Sequence, residues 1–77
     1  MFEYNICNQA DPKLFEKQCR ALELNIPNLQ VDDLLEDVDG TLIQIYHHRS
    51  GVIKVINDMQ VDALYVISDF NLLPYFS

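Results

Sequence analysis

Tryptophan is absent from this chain of 77 residues, cysteine and glycine occur twice each, and five lysines and arginines face twelve aspartates and glutamates. The shortage of cations excludes the simplest mode of direct nucleic-acid binding, because neutralisation of backbone phosphates dominates that recognition. Cys7 and Cys19 lack CxxC spacing, so neither a disulfide framework nor a cysteine-based metal site is expected. Two free thiols suit a reducing compartment. No apolar run approaches the ~20 residues of a membrane span. The opening Met1-Phe2-Glu3-Tyr4-Asn5 has no basic segment followed by an apolar one, and a cytoplasmic protein is expected.

What remains is a short, apolar and acidic chain. Hydrophobic residues make up 49%, too many for a disordered segment despite the net charge of −7. A chain of this length buries only about 60% of the surface its unfolded form exposes. Small domains of this kind often add a disulfide, a metal or a second subunit. With the first two disfavoured, a homodimer is one expectation. No internal repeat, low-complexity segment or linker divides residues 1–77, which read as a single small domain.

Periodicity gives the order of elements. Phe2, Tyr4 and Ile6 alternate with Glu3, Asn5 and Cys7, predicting a half-buried strand with Cys7 on its more polar face. Asp11-Pro12 reads as a helix start, a capping carboxylate followed by proline at the first helical position. Phe15, Cys19, Leu22 and Ile26 then recur on one helical face, and Glu16 and Arg20 stand one turn apart in the order that favours pairing. Asn25 and Pro27 end the helix. A short strand is predicted over 34–38 and a stronger one over Thr41–His48, rich in β-branched and aromatic residues. Asp39-Gly40 between them is the two-residue signal of a type I′ hairpin. Arg49-Ser50-Gly51 marks a second turn, Val52–Ile56 a central strand, Asn57-Asp58 a third turn, and Ala63–Ser68 a last strand. The predicted fold is α+β: one N-terminal helix packed on a four- or five-stranded, mainly antiparallel sheet in the order β-α-β-β-β-β. The helix covers one face. Leu42, Tyr46, Val52, Ile56 or their alternates occupy the other, with the C-terminal tail or a second copy expected to cover it.

Asp37-Val38-Asp39-Gly40-Thr41-Leu42 resembles the first motif of haloacid-dehalogenase-like phosphatases. The resemblance implies a nucleophilic first aspartate and a second aspartate acting as general acid/base. It covers six residues. The family's buried apolar strand before the motif is replaced by Asp32-Asp33-Leu34-Leu35-Glu36, and the parallel α/β sheet it requires does not fit this element order. An Asp-Gly turn accounts for the same residues, so no enzyme is expected and no catalytic residue is assigned. A calcium loop aligned on Gly40 would place Leu35 and Tyr46 where acidic ligands are required. His47 and His48, adjacent on a strand, point to opposite faces and cannot chelate one ion. Cys19 sits on the helix seam, as a buried inert thiol does. No cofactor or metal is expected.

Two features remain. Between Val31 and Gly40 lie five carboxylates, Asp32, Asp33, Glu36, Asp37 and Asp39, with no base among them. At the end of the chain Phe70, Leu72, Leu73, Tyr75 and Phe76 form an aromatic and apolar tail, unlike an ordinary polar terminus. The expected function is that of a small acidic, non-catalytic protein-binding or inhibitor protein. Asp32, Asp33, Glu36, Asp37 and Asp39 form its recognition edge toward a basic protein partner, with Phe70, Tyr75 and Phe76 as apolar anchors. The alternative is a structural homodimer without a steered partner, its acidic stretch only a solvated edge.

Overall fold

In the computed structural model, which describes residues 1–76, helix α1 (Pro12–Asn25) starts as its cap dictates. Asp11 is extended, and its Oδ1 accepts the N–H groups of Lys13 at 2.9 Å and Leu14 at 3.4 Å. Asp11 itself donates its N–H to Oδ1 of buried Asn57, tying the helix start to the sheet. Phe15, Cys19 and Leu22, with Ile26 just beyond the last turn, are buried on one face as their spacing requires. Each such side chain contributes ~1.5–3 kcal/mol by leaving water. The Glu16–Arg20 pair does not form: among the described residues the ion pair present is His47–Asp32.

The five strands are β1 (Phe2–Cys7), β2 (Gln30–Glu36), β3 (Leu42–His48), β4 (Gly51–Asp58) and β5 (Ala63–Ser68). They form one antiparallel sheet in the order β1-β5-β4-β3-β2. Helix α1 carries the chain from one edge to the other, and the meander then walks back until β5 lies beside β1. This is the predicted α+β architecture, with β4 at its centre.

Register decides which side chains meet the helix. Tyr46, Ile53 and Ser68 lie in one row across β3, β4 and β5, and Gln44, Val55, Val66 and Tyr4 in the next. Tyr46, Ile53, Val55, Leu64 and Val66 join Phe15, Cys19, Leu22 and Ile26 in a single core. Leu42 and Tyr46 therefore belong to the helix side, while Val52 and Ile56 face away. Cys7 is also corrected. A bulge between Asn5 and Cys7 leaves Ile6 unpaired, puts Cys7 opposite Leu64, and packs it against the core.

Several turns differ from expectation. Asp37 N donates to Thr41 O (2.9 Å) and Gly40 N to Asp37 O (3.0 Å), so Val38-Asp39-Gly40 form a three-residue loop. A type I′ turn needs positive φ at both central residues, and of Asp39 and Gly40 only Gly40 has it (+91°). Strand β2 starts at Gln30, four residues before the predicted one, and ends at Glu36. Strand β4 continues through Asn57 to Asp58, which shifts the third turn to 59–62. There Asp58 Oδ1 accepts the Gln60 N–H at 2.9 Å.

The tail folds back on the helix side and does not cover the opposite sheet face. Leu72 is buried in the core, and its N–H donates to the Tyr4 hydroxyl at 2.9 Å. That hydroxyl donates in turn to Asn71 Oδ1 at 3.0 Å. A 3-10 turn, Leu73–Tyr75, follows.

Candidate acidic edge

Strand β2 is the sheet's outer strand on the β3 side, and all seven of its residues are exposed. Its partner is β3 alone, so the outward N–H and C=O groups have no strand to bond. Two acidic residues, Asp32 and Asp33, fall where the β2–β3 register shifts between Val31 and Leu34. The irregularity is held from below: Gln44 Nε2 donates to the Asp32 carbonyl at 2.6 Å. Asp32 Oδ2 lies 2.9 Å from His47 Nε2, and Asp32 Oδ1 accepts the Asp33 N–H at 2.7 Å. The His47 contact, with the Asp33 N–H second, holds the Asp32 carboxyl below the usual carboxylate range.

Beyond β2 the hairpin loop carries Asp37 and Asp39. Asp37 Oδ1 accepts the Val38 N–H at 2.7 Å, and Asp39 Oδ1 the Thr41 N–H at 2.9 Å. The bond from Thr41 pulls the Asp39 carboxyl below its ordinary value. The two aspartates of the phosphatase-like hexapeptide thus cap their own loop between antiparallel strands. All five expected acids, Asp32, Asp33, Glu36, Asp37 and Asp39, lie on one strand and its hairpin. Apolar side chains are interleaved with them: Leu34 and Leu35 remain 51% and 49% exposed, and Val38 protrudes fully into solvent.

Behind Leu34 a groove of about 370 Å³ opens between β2 and α1, lined by Phe15, Cys19, Gln44, Glu16, Arg20 and Glu23. Tyr46, buried on β3, donates its hydroxyl to Glu23 Oε2 at 2.6 Å. Burial pushes the Cys19 thiol up, away from the reactive thiolate. Gln44, Glu23 and Tyr46, which support this region, carry no signal in the sequence, since the bonds they make depend on sheet register.

The tail residues do not join the edge. Phe70 stacks on His48 with ring centroids 5.0 Å apart, and Tyr75 meets both rings edge-on. Both pack against the core, while Phe76 stays 45% exposed. His47 and His48 do point apart, the first to Asp32 and the second to Phe70. Among the described residues no group of three or more His, Cys, Asp or Glu is placed to hold a metal ion. No described helix is long and apolar enough to cross a membrane.

Compared with known proteins, the chain matches no family model, no curated protein and no solved structure. Its functional reading rests on the geometry above.

Proposed function

We propose that this is a small acidic, non-catalytic binding or inhibitor protein that engages a basic protein partner through β2 and the β2–β3 hairpin. The observation that carries the reading is the placement of Asp32, Asp33 and Glu36 along one outer strand whose residues are all exposed, with Asp37 and Asp39, also exposed, in the hairpin that follows it. Ordered carboxylates at Asp32 and Asp39 present fixed charge, which steers encounter with a cationic surface and disfavours acidic partners. Leu34, Leu35 and Val38 between them supply the apolar contact that charge alone does not provide. Small acidic inhibitors of nucleic-acid-binding proteins act by this logic, covering a cationic surface. The same charge opposes direct contact with nucleic acid. Phe76, the exposed ring of the tail, is a secondary anchor, and the free thiols of Cys7 and Cys19 support a cytoplasmic setting.

The test is capture of partners from source-cell lysate at low salt by the tagged protein. A variant with Asp32→Asn, Asp33→Asn, Glu36→Gln and Asp37→Asn runs beside it. The reading expects a basic protein held stoichiometrically by the unaltered chain, released by raised salt and lost in the variant. Equal recovery of the same partner by both proteins would refute the acidic edge as the binding surface.

A further inference from the structure

The sheet face opposite α1 is apolar, and among the described residues no element lies on it. Its central rows are Ile45-Lys54-Ile67 and Leu35-Ile43-Ile56-Tyr65, with Val52 below and Asp58 above on β4. None of these side chains belongs to the helix-side core cluster or packs against it. Ile56 at the centre is buried at 9% exposure, Ile43, Ile45, Val52, Tyr65 and Ile67 are half-buried, and Leu35 and Lys54 are exposed. Tyr65 donates its hydroxyl to Asp58 Oδ2 at 3.0 Å, which places both groups on this side. Four isoleucines, a valine and a leucine on one uncovered sheet face exceed the scattered exposure of an ordinary monomer.

We infer that this face is covered by a second copy of the chain, giving a closed two-fold dimer with two sheets packed face to face. Area is the first argument. Five strands at ~4.8 Å spacing and strands of up to eight residues at ~3.3 Å rise present roughly 600 Å² in projection. The corrugated accessible area is larger, and approaches the ~800 Å² per partner of a standard stable interface.

Charge is the second argument, and it selects the occupant. The chain is acidic overall, yet between β3 and β5 the two central rows of this face hold no carboxylate and one cation, Lys54, which has no ion-pair partner among the described residues; Glu3 stands at the β1 end of the Lys54 row, opposite Ile67. Asp58 lies on the same face four residues along β4, ~13 Å away in an extended strand and out of reach within one chain. Stacking the two β4 strands antiparallel, centred between Lys54 and Ile56, sets each Lys54 over the partner's Ile56. The partner's Asp58 is then one alternate position further on. The same operation places Ile45 over the partner's Ile43 and Ile67 over the partner's Tyr65. A two-fold face must be complementary to itself, and this one is, in shape class and in charge. Leu35 brings β2 into the stack, the outward backbone edges of the two β2 strands stay free at its rim, and the inference does not rest on the proposed partner.

Sedimentation equilibrium over a concentration series tests it. The expected species has twice the 9.0 kDa chain mass. Ile45→Glu, at the centre of the face and outside the core, is expected to weaken dimerisation at least about 30-fold with unchanged far-UV circular dichroism. Lys54→Glu, which sets a carboxylate beside the partner's Asp58, is expected to weaken it about tenfold. The variant neutralised at Asp32, Asp33, Glu36 and Asp37 is expected to dimerise as the unaltered chain does. Isotope-filtered NMR on mixed labelled and unlabelled protein gives a readout that needs no substitution: intermolecular contacts are expected from the methyl groups of Ile43, Ile45, Ile56 and Ile67. A monomer at about 1 mM chain, open-ended assembly, or intermolecular contacts confined to other surfaces would each overturn the inference.

Discussion

Replacing Tyr46 by phenylalanine should lower stability at neutral pH and raise it, relative to the unaltered protein, in strong alkali. The side chain is fully buried, and its hydroxyl donates to Glu23 Oε2 at 2.6 Å and to the Cys19 carbonyl at 3.4 Å. Hydrogen bonds to a charged acceptor contribute ~1.5–3 kcal/mol. Glu23 lies at the surface and regains water when the hydroxyl is removed, so a loss of about 1.5 kcal/mol is expected at pH 7. In a domain of this size that lowers the melting temperature by roughly 6–12 °C. Burial, reinforced by the bond to Glu23, raises the phenol far above its ordinary value. A group raised in the folded state contributes fully below its unfolded value of ~10, and the contribution is lost as pH rises toward the folded value. Above pH ~10 that loss runs at ~1.4 kcal/mol per pH unit, and the variant escapes it. The gap between the two proteins should therefore close near pH 11 and reverse by about pH 12. Cys19 and Tyr65 are also raised, but both remain in the variant and cancel in the difference. Urea unfolding followed by circular dichroism at half-unit steps from pH 7 to 12 measures it. A gap that stays constant between pH 9 and 12 would refute the assignment of Tyr46 as the alkaline-sensitive group.

Gly51→Ala should destabilise by about 3 kcal/mol or more, because φ is +142° and a Cβ would sit 2.5 Å from the Asp69 Cβ. Chemical denaturation checks it, and a loss under about 1 kcal/mol would show that Asp69 yields easily. His47→Ala should return the Asp32 carboxyl toward its ordinary range, since the His47 bond is the main cause of its lowering. A carbon-detected NMR titration of Asp32 follows this directly, and an unmoved midpoint would assign the lowering to the Asp33 N–H instead.

The helix was legible because its signals are local. Asp11-Pro12 sets the start, the Phe15-Cys19-Leu22-Ile26 spacing sets the buried face, and no distant residue is needed for either. Strand β2 was legible only in part, because Asp32 and Asp33 are poor strand formers by themselves. Pairing with β3 and the Gln44 bond to the Asp32 carbonyl hold them extended, a tertiary effect that outweighs propensity. The destination of the tail was not legible either. Its anchor, the Tyr4 hydroxyl on the Leu72 N–H, joins residues 68 apart in the chain. Composition located the five acids, but their placement on an outer strand and its hairpin needed the sheet order. That order in turn depends on β1 adding beside β5, away from β2.

The acidic strand and the open face constrain each other. A sheet with one uncovered apolar face and an open outer strand has two ways to associate with its own copies, stacking faces or extending edges. Edge pairing of two β2 strands would bring the carboxylates of Asp32, Asp33 and Glu36 close to their own counterparts, and like charges set opposite each other are destabilising. Face stacking meets weaker opposition, since it holds the two β2 strands ~10 Å apart instead of the ~4.8 Å of edge pairing and puts Lys54 in the middle. The carboxylates therefore direct self-association to the face whatever else they bind. The operation that sets β3 over β3 also sets β2 over β2, so the two acidic edges lie on one side of the dimer, ~10 Å apart. A basic partner recognised by that strand would then meet both edges at once, one partner per two chains. The stoichiometry ties the two proposals together while leaving each separately refutable: independent binding of two partners per dimer would exclude this face-to-face register.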